Sequence, residues 1–140
     1  MDKFSQICQD IKSIKIQGAT NVAKAAVKAY CIRPKKSSIK ILTKLRPTEP
    51  MLVNALNIAR KSSAENVLNH FDNTQEFINH YIQKIINQNS VIFTHCHSST
   101  LVQALISAHK NHKKFSVINT ETRPLYQGYL TSKQLSKAGI

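Results

Sequence analysis

The first two thirds of the chain carry apolar residues at helical spacing, separated by short polar breaks. A period near 3.6 residues is typical of amphipathic helices. Thr48 two residues before Pro50 predicts an N-cap and a first helical turn. Asp72, with Gln75 three residues later, resembles a capping box and predicts a second helix start. Helices are therefore expected at residues 2–12, 19–30, 48–59 and 72–86, whereas residues 38–45 fit a helix or a strand, of which the helix is favoured.

The pattern changes at residue 90. Ser90-Val91-Ile92-Phe93-Thr94 and Phe115-Ser116-Val117-Ile118-Asn119 are short β-favouring runs bounded by polar residues, as buried strands are. Apolar residues at helical spacing lie between them at 101–108, and residues 131–138 begin another helix. Alternating strands and helices predict a parallel sheet. The expected domains are a helical one over residues 1–89 and a sheet-forming one over 90–140.

Two strands cannot complete a doubly wound sheet, so one face of each strand is expected to lack cover. Gly139-Ile140 is typical of a helix C-cap that leads into a further strand. The predicted class is therefore α/β: a helical N-terminal domain followed by the start of a Rossmann-like parallel sheet, incomplete at the C-terminus. The remainder would be a continuation of this chain or would come from another chain.

Composition indicates an ordinary globular protein of the cytoplasm. The 140 residues are 41% hydrophobic, and no apolar run approaches the roughly 18 residues that span a bilayer. The polar N-terminus is unlike a secretory signal. Cys8, Cys31 and Cys96 make an odd number without CxxC spacing, which disfavours disulfides and structural zinc. Cys8 and Cys31 are expected on apolar helix faces, as space-filling residues.

The chain is strongly basic, with 20 Lys and Arg against 7 Asp and Glu. Such an excess attracts polyanions. The densest run, from Arg33 to Arg46, contains no aromatic residue on which a base could stack, and it is expected to form a solvated loop between helices. A nucleic-acid partner is therefore not expected.

The candidate chemistry lies at the ends of the two strands. In open parallel sheets, ligands bind beyond the carboxyl ends of the strands. The first strand leads to Cys96, flanked by His95 and His97 and close to a helix N-terminus whose partial positive charge favours a thiolate. Ser98 and Ser99 at that helix start offer hydroxyl and backbone donors suited to a phosphate.

The second strand brings Arg123 to the same edge, where a guanidinium can bind a phosphate through two parallel hydrogen bonds. Other roles stay open: a thiol at a strand end is often buried and inert, and Arg123 can pair with Glu121. A metal site at His95, Cys96 and His97 is not expected, because successive side chains on a strand point to opposite faces. Arg46 can likewise bind a carboxylate rather than a ligand.

Several motifs in order resemble one superfamily. Thr94-His95-Cys96-His97-Ser98-Ser99, Glu121-Thr122-Arg123-Pro124, Gln127-Gly128 and Leu130-Thr131 are similar to the core motifs of initiation factor 2B alpha, beta and delta subunits and of the ribose-1,5-bisphosphate and methylthioribose-1-phosphate isomerases. Ile16-Gln17-Gly18-Ala19 and Arg46-Pro47-Thr48 resemble the N-terminal motifs. The likeness covers nearly all of this chain and about the first half of a family member.

The resemblance implies a sugar-phosphate isomerase, most similar to the ribose-1,5-bisphosphate enzymes, with Cys96 as catalytic residue. It implies substrate contacts from the following positions: Gln17, Gly18, Ala19, Arg46, Ser98, Ser99, Arg123, Gln127 and Gly128. Gln17 stands where isomerases often carry Arg, and the catalytic aspartate belongs to the second half. No cofactor is implied. The implied partners are further copies or a complementing second half, and the alternative is a non-catalytic initiation-factor-like subunit.

Overall fold

Seven helices precede, separate and follow two strands in the computed structural model, which describes residues 1–140. The elements are α1 (Lys3–Lys12), α2 (Ala19–Ile32), α3 (Lys36–Leu45), α4 (Pro50–Lys61), α5 (Ala64–Ile85), β1 (Ser90–His95), α6 (Ser99–Lys110), β2 (Phe115–Thr120) and α7 (Gln127–Lys137). None of the helices combines the length and the apolar character needed to cross a membrane.

The first compact unit, Met1–Asp72, is helical. Its core is centred on α2, whose small residues Ala26 and Ala29 are fully buried together with Leu52 and Leu56 of α4. Alanine leaves room for close helix packing while it keeps high helix propensity. Leucines buried this completely typically cost about 2–5 kcal/mol when they are cut back to alanine. This unit thus has a core of its own.

The second unit, Asn73–Ile140, contains the sheet. β1 and β2 pair in parallel, with Ser90 opposite Phe115 and His95 opposite Thr120. Helices α6 and α7 cover one face of the sheet through a cluster of buried side chains. The opposite face is open, since Val91, Phe93 and Ile118 are 64%, 68% and 56% exposed. The expectation that one face of each strand lacks cover is confirmed, as is the predicted open α/β class.

Two predicted helix starts are wrong. α4 begins at Pro50 with Glu49 at the N-cap, so Thr48 lies outside the helix, because the proline ring sets the first helical position. α5 continues from Ala64 to Ile85 without interruption, so Asp72 lies within a helix and binds Lys24 at 3.2 Å instead of capping. No Gly or Pro interrupts this stretch, and the Ser63 hydroxyl caps its start by accepting from the Asn66 N–H.

The basic run contains the helix that was favoured for residues 38–45 and does not form the solvated loop that its charge suggested. α3 occupies most of it and carries Lys36, Lys40 and Lys44 on one exposed side at a spacing of four residues. Cys31 is exposed, contrary to its predicted burial, whereas Cys8 packs against the core of the first unit. The compact units divide after Asp72, within α5. The boundary between residues 89 and 90 stays a prediction about domains.

The C-terminal end of α7 forms the predicted cap. Gly139 has a φ of +85°, its N–H donates to the Ser136 carbonyl, and the Ile140 N–H donates to the Leu135 carbonyl. These two bonds form a Schellman motif, in which a left-handed glycine satisfies the last carbonyl groups of a helix. The start of α7 differs from the prediction, because the helix begins at Gln127 instead of Thr131.

Candidate active site at the carboxyl edge of the sheet

β1 ends at His95, and the next residue, Cys96, turns the chain sharply. Cys96 has a φ of +64°, in the left-handed region that residues other than glycine occupy only rarely. Such backbone strain concentrates at functional sites, where the surrounding contacts hold it. The turn leaves Cys96 half-buried between the start of α6 and the β2–α7 loop.

The Cys96 thiol has two polar neighbours from the β2–α7 region. Its S–H donates to the Gln127 Oε1 at 2.9 Å, and the Thr122 hydroxyl donates to the sulfur at 3.7 Å. The Thr131 hydroxyl also donates to the Cys96 carbonyl at 3.0 Å. Cys96 is therefore not the fully buried thiol that one alternative expected, since it is half-buried beside polar groups. The sulfur lies in a polar environment with both a donor and an acceptor.

The adjacent imidazole of His97 has a defined hydrogen-bonding direction. Its Nδ1 lies 2.9 Å from the Thr131 hydroxyl, whose own proton goes to the Cys96 carbonyl. That hydroxyl can therefore only accept from His97, which places the ring proton on Nδ1 and leaves a lone pair on Nε2. Burial lowers the pKa of His97 below its ordinary value. His95 faces elsewhere, with its Nδ1 bonded to the Thr120 hydroxyl.

The start of α6 offers anion-binding donors beside Cys96. The Ser98 hydroxyl is the N-cap and accepts from the Leu101 N–H at 3.3 Å. The N–H groups of Ser99 and Thr100 make no hydrogen bond within the protein. Such first-turn amides, together with the helix dipole, form a ready site for a phosphate.

The β2–α7 loop carries Arg123, which is exposed. Its Nη1 donates to the Tyr126 hydroxyl at 3.4 Å, and the guanidinium lies over that ring at 5.4 Å. Arg123 makes no ion pair with Glu121, since the ion pairs of the chain are Lys15–Asp10, Lys24–Asp72 and Arg33–Asp2. The guanidinium therefore keeps most of its donors for a ligand.

Glu121 has a role that the sequence did not reveal. Its carboxylate accepts from the Thr122, Gly128 and Tyr129 N–H groups at 2.7, 2.7 and 3.0 Å. These backbone bonds, that of Thr122 first, lower the pKa of Glu121 below its ordinary value, and the positive charge of Arg123 adds to them. The Gly128 N–H is thus already engaged, and Gly128 itself is buried against β2.

The first unit holds the remaining predicted site residues. Gln17 and Gly18 are exposed, and Gly18 is the N-cap of α2 with a φ of +82°, directly before Ala19. No side chain caps this helix start. Arg46 ends α3, and its buried Nη1 has no hydrogen-bond partner in the protein. A buried guanidinium nitrogen without an acceptor is the kind of group that a bound anion satisfies.

The side chains of the site do not form a metal-binding set. No group of three or more His, Cys, Asp or Glu side chains is arranged to hold a metal ion. Cys96, Ser98, Ser99, Arg123 and Gln127 all lie at or beside the carboxyl edge of the sheet, so the structure brings these predicted residues to one region of the second unit.

Known proteins are similar to this chain in sequence and in fold. Residues 12–140 match the Initiation factor 2 subunit family. All of this chain aligns at 30% identity with the ribose 1,5-bisphosphate isomerase of Archaeoglobus fulgidus, covering 53% of that protein. The Pyrococcus furiosus protein of the same name is 32% identical over 96% of the chain and is covered to 52%.

A solved structure, the Pyrococcus horikoshii translation initiation factor eIF-2B, superposes on the whole chain with a TM-score of 0.82 at 20% identity. The chain covers 58% of that structure. It also spans about half the length of the curated relatives it matches. Because the family match extends over nearly all of the sequence, this chain belongs to the Initiation factor 2 subunit family.

Proposed function

We propose that this chain supplies the N-terminal half of a sugar-phosphate aldose–ketose isomerase that converts ribose 1,5-bisphosphate to ribulose 1,5-bisphosphate in nucleotide salvage. The observation that carries the proposal is the Cys96 thiol, which has polar hydrogen-bonding neighbours and lies beside the N-terminus of α6. The two isomerase relatives at 30% and 32% identity support the choice of substrate. The reaction would take place in the cytoplasm.

The proposed role of Cys96 is proton exchange with the sugar. An aldose–ketose isomerisation moves a hydrogen between adjacent carbons, and a side chain that gives or takes a proton there typically contributes about 10²–10⁴ in rate. The Gln127 and Thr122 contacts hold the sulfur in one position. An aspartate from the remaining half of the enzyme would serve the ring or hydroxyl oxygen.

Each unit of the chain, taken by itself, offers donors suited to a phosphate. In the second unit these are the Ser99 and Thr100 amides, which have no partner in the protein, and the Arg123 guanidinium, whose one hydrogen bond goes to the Tyr126 hydroxyl. In the first unit the uncapped start of α2, at Gln17, Gly18 and Ala19, and the buried Nη1 of Arg46 have the same character. Each can satisfy an anionic oxygen.

The proposed partner is the remaining half of the family fold. Parallel sheets are normally covered on both faces, yet Val91, Phe93 and Ile118 are more than half exposed. The relatives contain about as much additional sequence as this chain itself, which is enough to cover that face. The covering half would be joined to this chain or associate with it, and higher assemblies of the same chain would form from such pairs.

An activity assay tests the proposal. Ribose 1,5-bisphosphate is incubated with the chain alone and with a polypeptide corresponding to the unmatched part of the Archaeoglobus fulgidus relative. We expect ribulose 1,5-bisphosphate, detected by phosphorus NMR, only from the mixture. Cys96→Ser should reduce turnover by about 100-fold or more. Full turnover by Cys96→Ser in an active mixture would contradict the role of the thiol.

The second candidate is a non-catalytic subunit that acts through assembly. Gln17 favours it, because an uncharged side chain there binds a phosphate less strongly than an arginine would. A mixture that forms a stable complex but neither binds nor converts ribose 1,5-bisphosphate would favour this candidate. The substitution Gln17→Arg should strengthen the binding of ribose 1,5-bisphosphate if the isomerase proposal is correct.

A further inference from the structure

We propose that Glu121 is a positioning residue for the Cys96 thiol, because it fixes the loop and the helix start that supply both polar contacts of the sulfur. The inference deepens the proposed function and rests on it for the purpose of the thiol. The hydrogen bonds themselves involve only residues of the second unit.

The Glu121 carboxylate joins the two ends of the β2–α7 loop. One oxygen accepts from Thr122, at the beginning of the loop, and from Gly128, in the first turn of α7, both at 2.7 Å. The other oxygen accepts from Tyr129 at 3.0 Å. A single side chain therefore closes the loop over residues 122–128 and fixes where α7 begins.

Helix α7 has no other side-chain cap. Its N-cap, Tyr126, has a left-handed backbone with a φ of +50° and makes no side-chain capping bond. The first-turn amides of a helix need an acceptor, and a carboxylate at this end is also favoured by the helix dipole. Glu121 provides the acceptor and the negative charge from outside the helix, so the start of α7 depends on this residue.

The two residues that contact the sulfur are next to the atoms that Glu121 holds. Thr122, whose hydroxyl donates to the sulfur, follows Glu121 directly. Gln127, whose Oε1 accepts the S–H bond, precedes Gly128. Release of the carboxylate would free both ends of the loop, so the Gln127 side chain would lose its fixed distance from the thiol.

Alkylation of the thiol tests this inference. The chain carries Cys8→Ala and Cys31→Ser, so that iodoacetamide reports on Cys96 alone. Because the reagent attacks the thiolate, loss of an acceptor that holds the S–H proton should speed the reaction. We expect Glu121→Ala and Gln127→Ala each to raise the rate constant about threefold to tenfold, the effect of one hydrogen bond.

The coupling between the two positions separates positioning from general stability. The Glu121→Ala/Gln127→Ala double variant should react no faster than Gln127→Ala alone, since Glu121 acts on the S–H bond through Gln127. Glu121→Gln retains one acceptor oxygen and should be intermediate, and it also serves if the alanine variant fails to fold. Glu76→Ala, the matched control in α5, should react like the parent chain.

Equal rates for the parent chain, Glu121→Ala and Glu121→Gln would overturn the inference. Multiplying effects in the double variant would overturn it too, because Glu121 and Gln127 would then act separately. Alkylation needs no sugar, so the outcome is independent of turnover. Absence of isomerase activity would therefore count against the proposed function and leave the positioning role intact.

Discussion

The Asn119 Nδ2 donates to the carbonyl oxygen of Gly128 at 3.0 Å and so joins the end of strand β2 to the first turn of α7. The approach is close enough to exclude a side chain at position 128. A Cβ atom there would lie 2.5 Å from the Thr120 carbonyl oxygen and 2.9 Å from the Glu121 Cα. The glycine of this motif therefore has a structural reason that is independent of any ligand.

Gly128→Ala should destabilise the second unit. Because the clashing atoms belong to backbone, the strand end or the helix start must shift, and overpacking of this kind typically costs about 1–3 kcal/mol. Urea unfolding followed by circular dichroism measures the change in free energy. Ser136→Ala, on an exposed position of the same helix, is the control and should leave the unfolding midpoint nearly unchanged. An unchanged midpoint for Gly128→Ala would contradict the close approach of residue 128 to the Thr120 carbonyl oxygen.

His97 should be neutral at pH 7, with its proton on Nδ1. The Thr131 hydroxyl can only accept from this ring, and burial disfavours the imidazolium, so the pKa of His97 is lowered. Long-range ¹H–¹⁵N NMR spectra identify the tautomer, and a pH titration should place its midpoint below about 6.5. Thr131→Val removes the acceptor and should abolish the preference for the Nδ1 proton. An Nε2-protonated ring in the parent chain would contradict the assignment.

The periodic parts of the fold were predictable from the sequence, whereas features held by distant contacts were not. The stripe in α2 and the β-favouring runs report burial directly, since each period matches one element type. The false capping box at Asp72 arose because the same residue types occur within helices, where Asp72 instead binds Lys24. Local spacing cannot distinguish these two uses of an aspartate.

In the candidate site, too, some features were predictable from the sequence and others depend on contacts between distant residues. The strand-end rule placed Cys96, Ser98 and Arg123 at one edge, as the structure has them. The capping role of Glu121 was not predicted, because this residue caps a helix that starts several residues later along the chain, beyond the spacing of any capping motif. The left-handed Cys96 was also unpredictable, because only the packed loop and helix make that backbone tolerable.

The stability of the second unit should depend on pH through Glu121. Backbone donors, that of Thr122 first, lower the pKa of Glu121 in the folded chain, so its contribution is present above the unfolded value of about 4.5 and is lost as pH falls through the folded value. Thermal unfolding should therefore show Glu121→Gln with a lower Tm than the parent chain at pH 6. The gap should narrow toward pH 3. A gap that is constant over this range would rule out a contribution from the ionised carboxylate.

Any binding of RNA by this chain should be weak in sequence preference and steep in salt dependence. Lys36, Lys40 and Lys44 form an exposed row on α3, but no aromatic side chain lies among them to stack on a base. Binding driven by released counterions falls steeply with salt. Fluorescence titrations with a labelled RNA at 50 and about 200 mM salt should show affinity lost by roughly 10-fold or more. Replacing Lys36, Lys40 and Lys44 with glutamine should weaken RNA binding. Binding that resists the added salt would contradict the expectation.

In the proposed association with the remaining half of the family fold, Phe93→Ser should lower the affinity. Phe93 is 68% exposed on the open sheet face, so the substitution removes little from the core of this chain and much from a covered interface. The variant and the parent chain are each titrated by calorimetry with a polypeptide corresponding to the unmatched part of the Archaeoglobus fulgidus relative. We expect the variant to bind at least about tenfold more weakly than the parent chain. Ile41→Ser, which removes an exposed apolar side chain of α3, is the control and should bind like the parent chain. Sedimentation of each chain alone tests whether a second copy of this chain covers the face instead. A dimer that Phe93→Ser dissociates would assign the face to a second copy. Unchanged affinity of Phe93→Ser for the polypeptide would exclude the face from the contact.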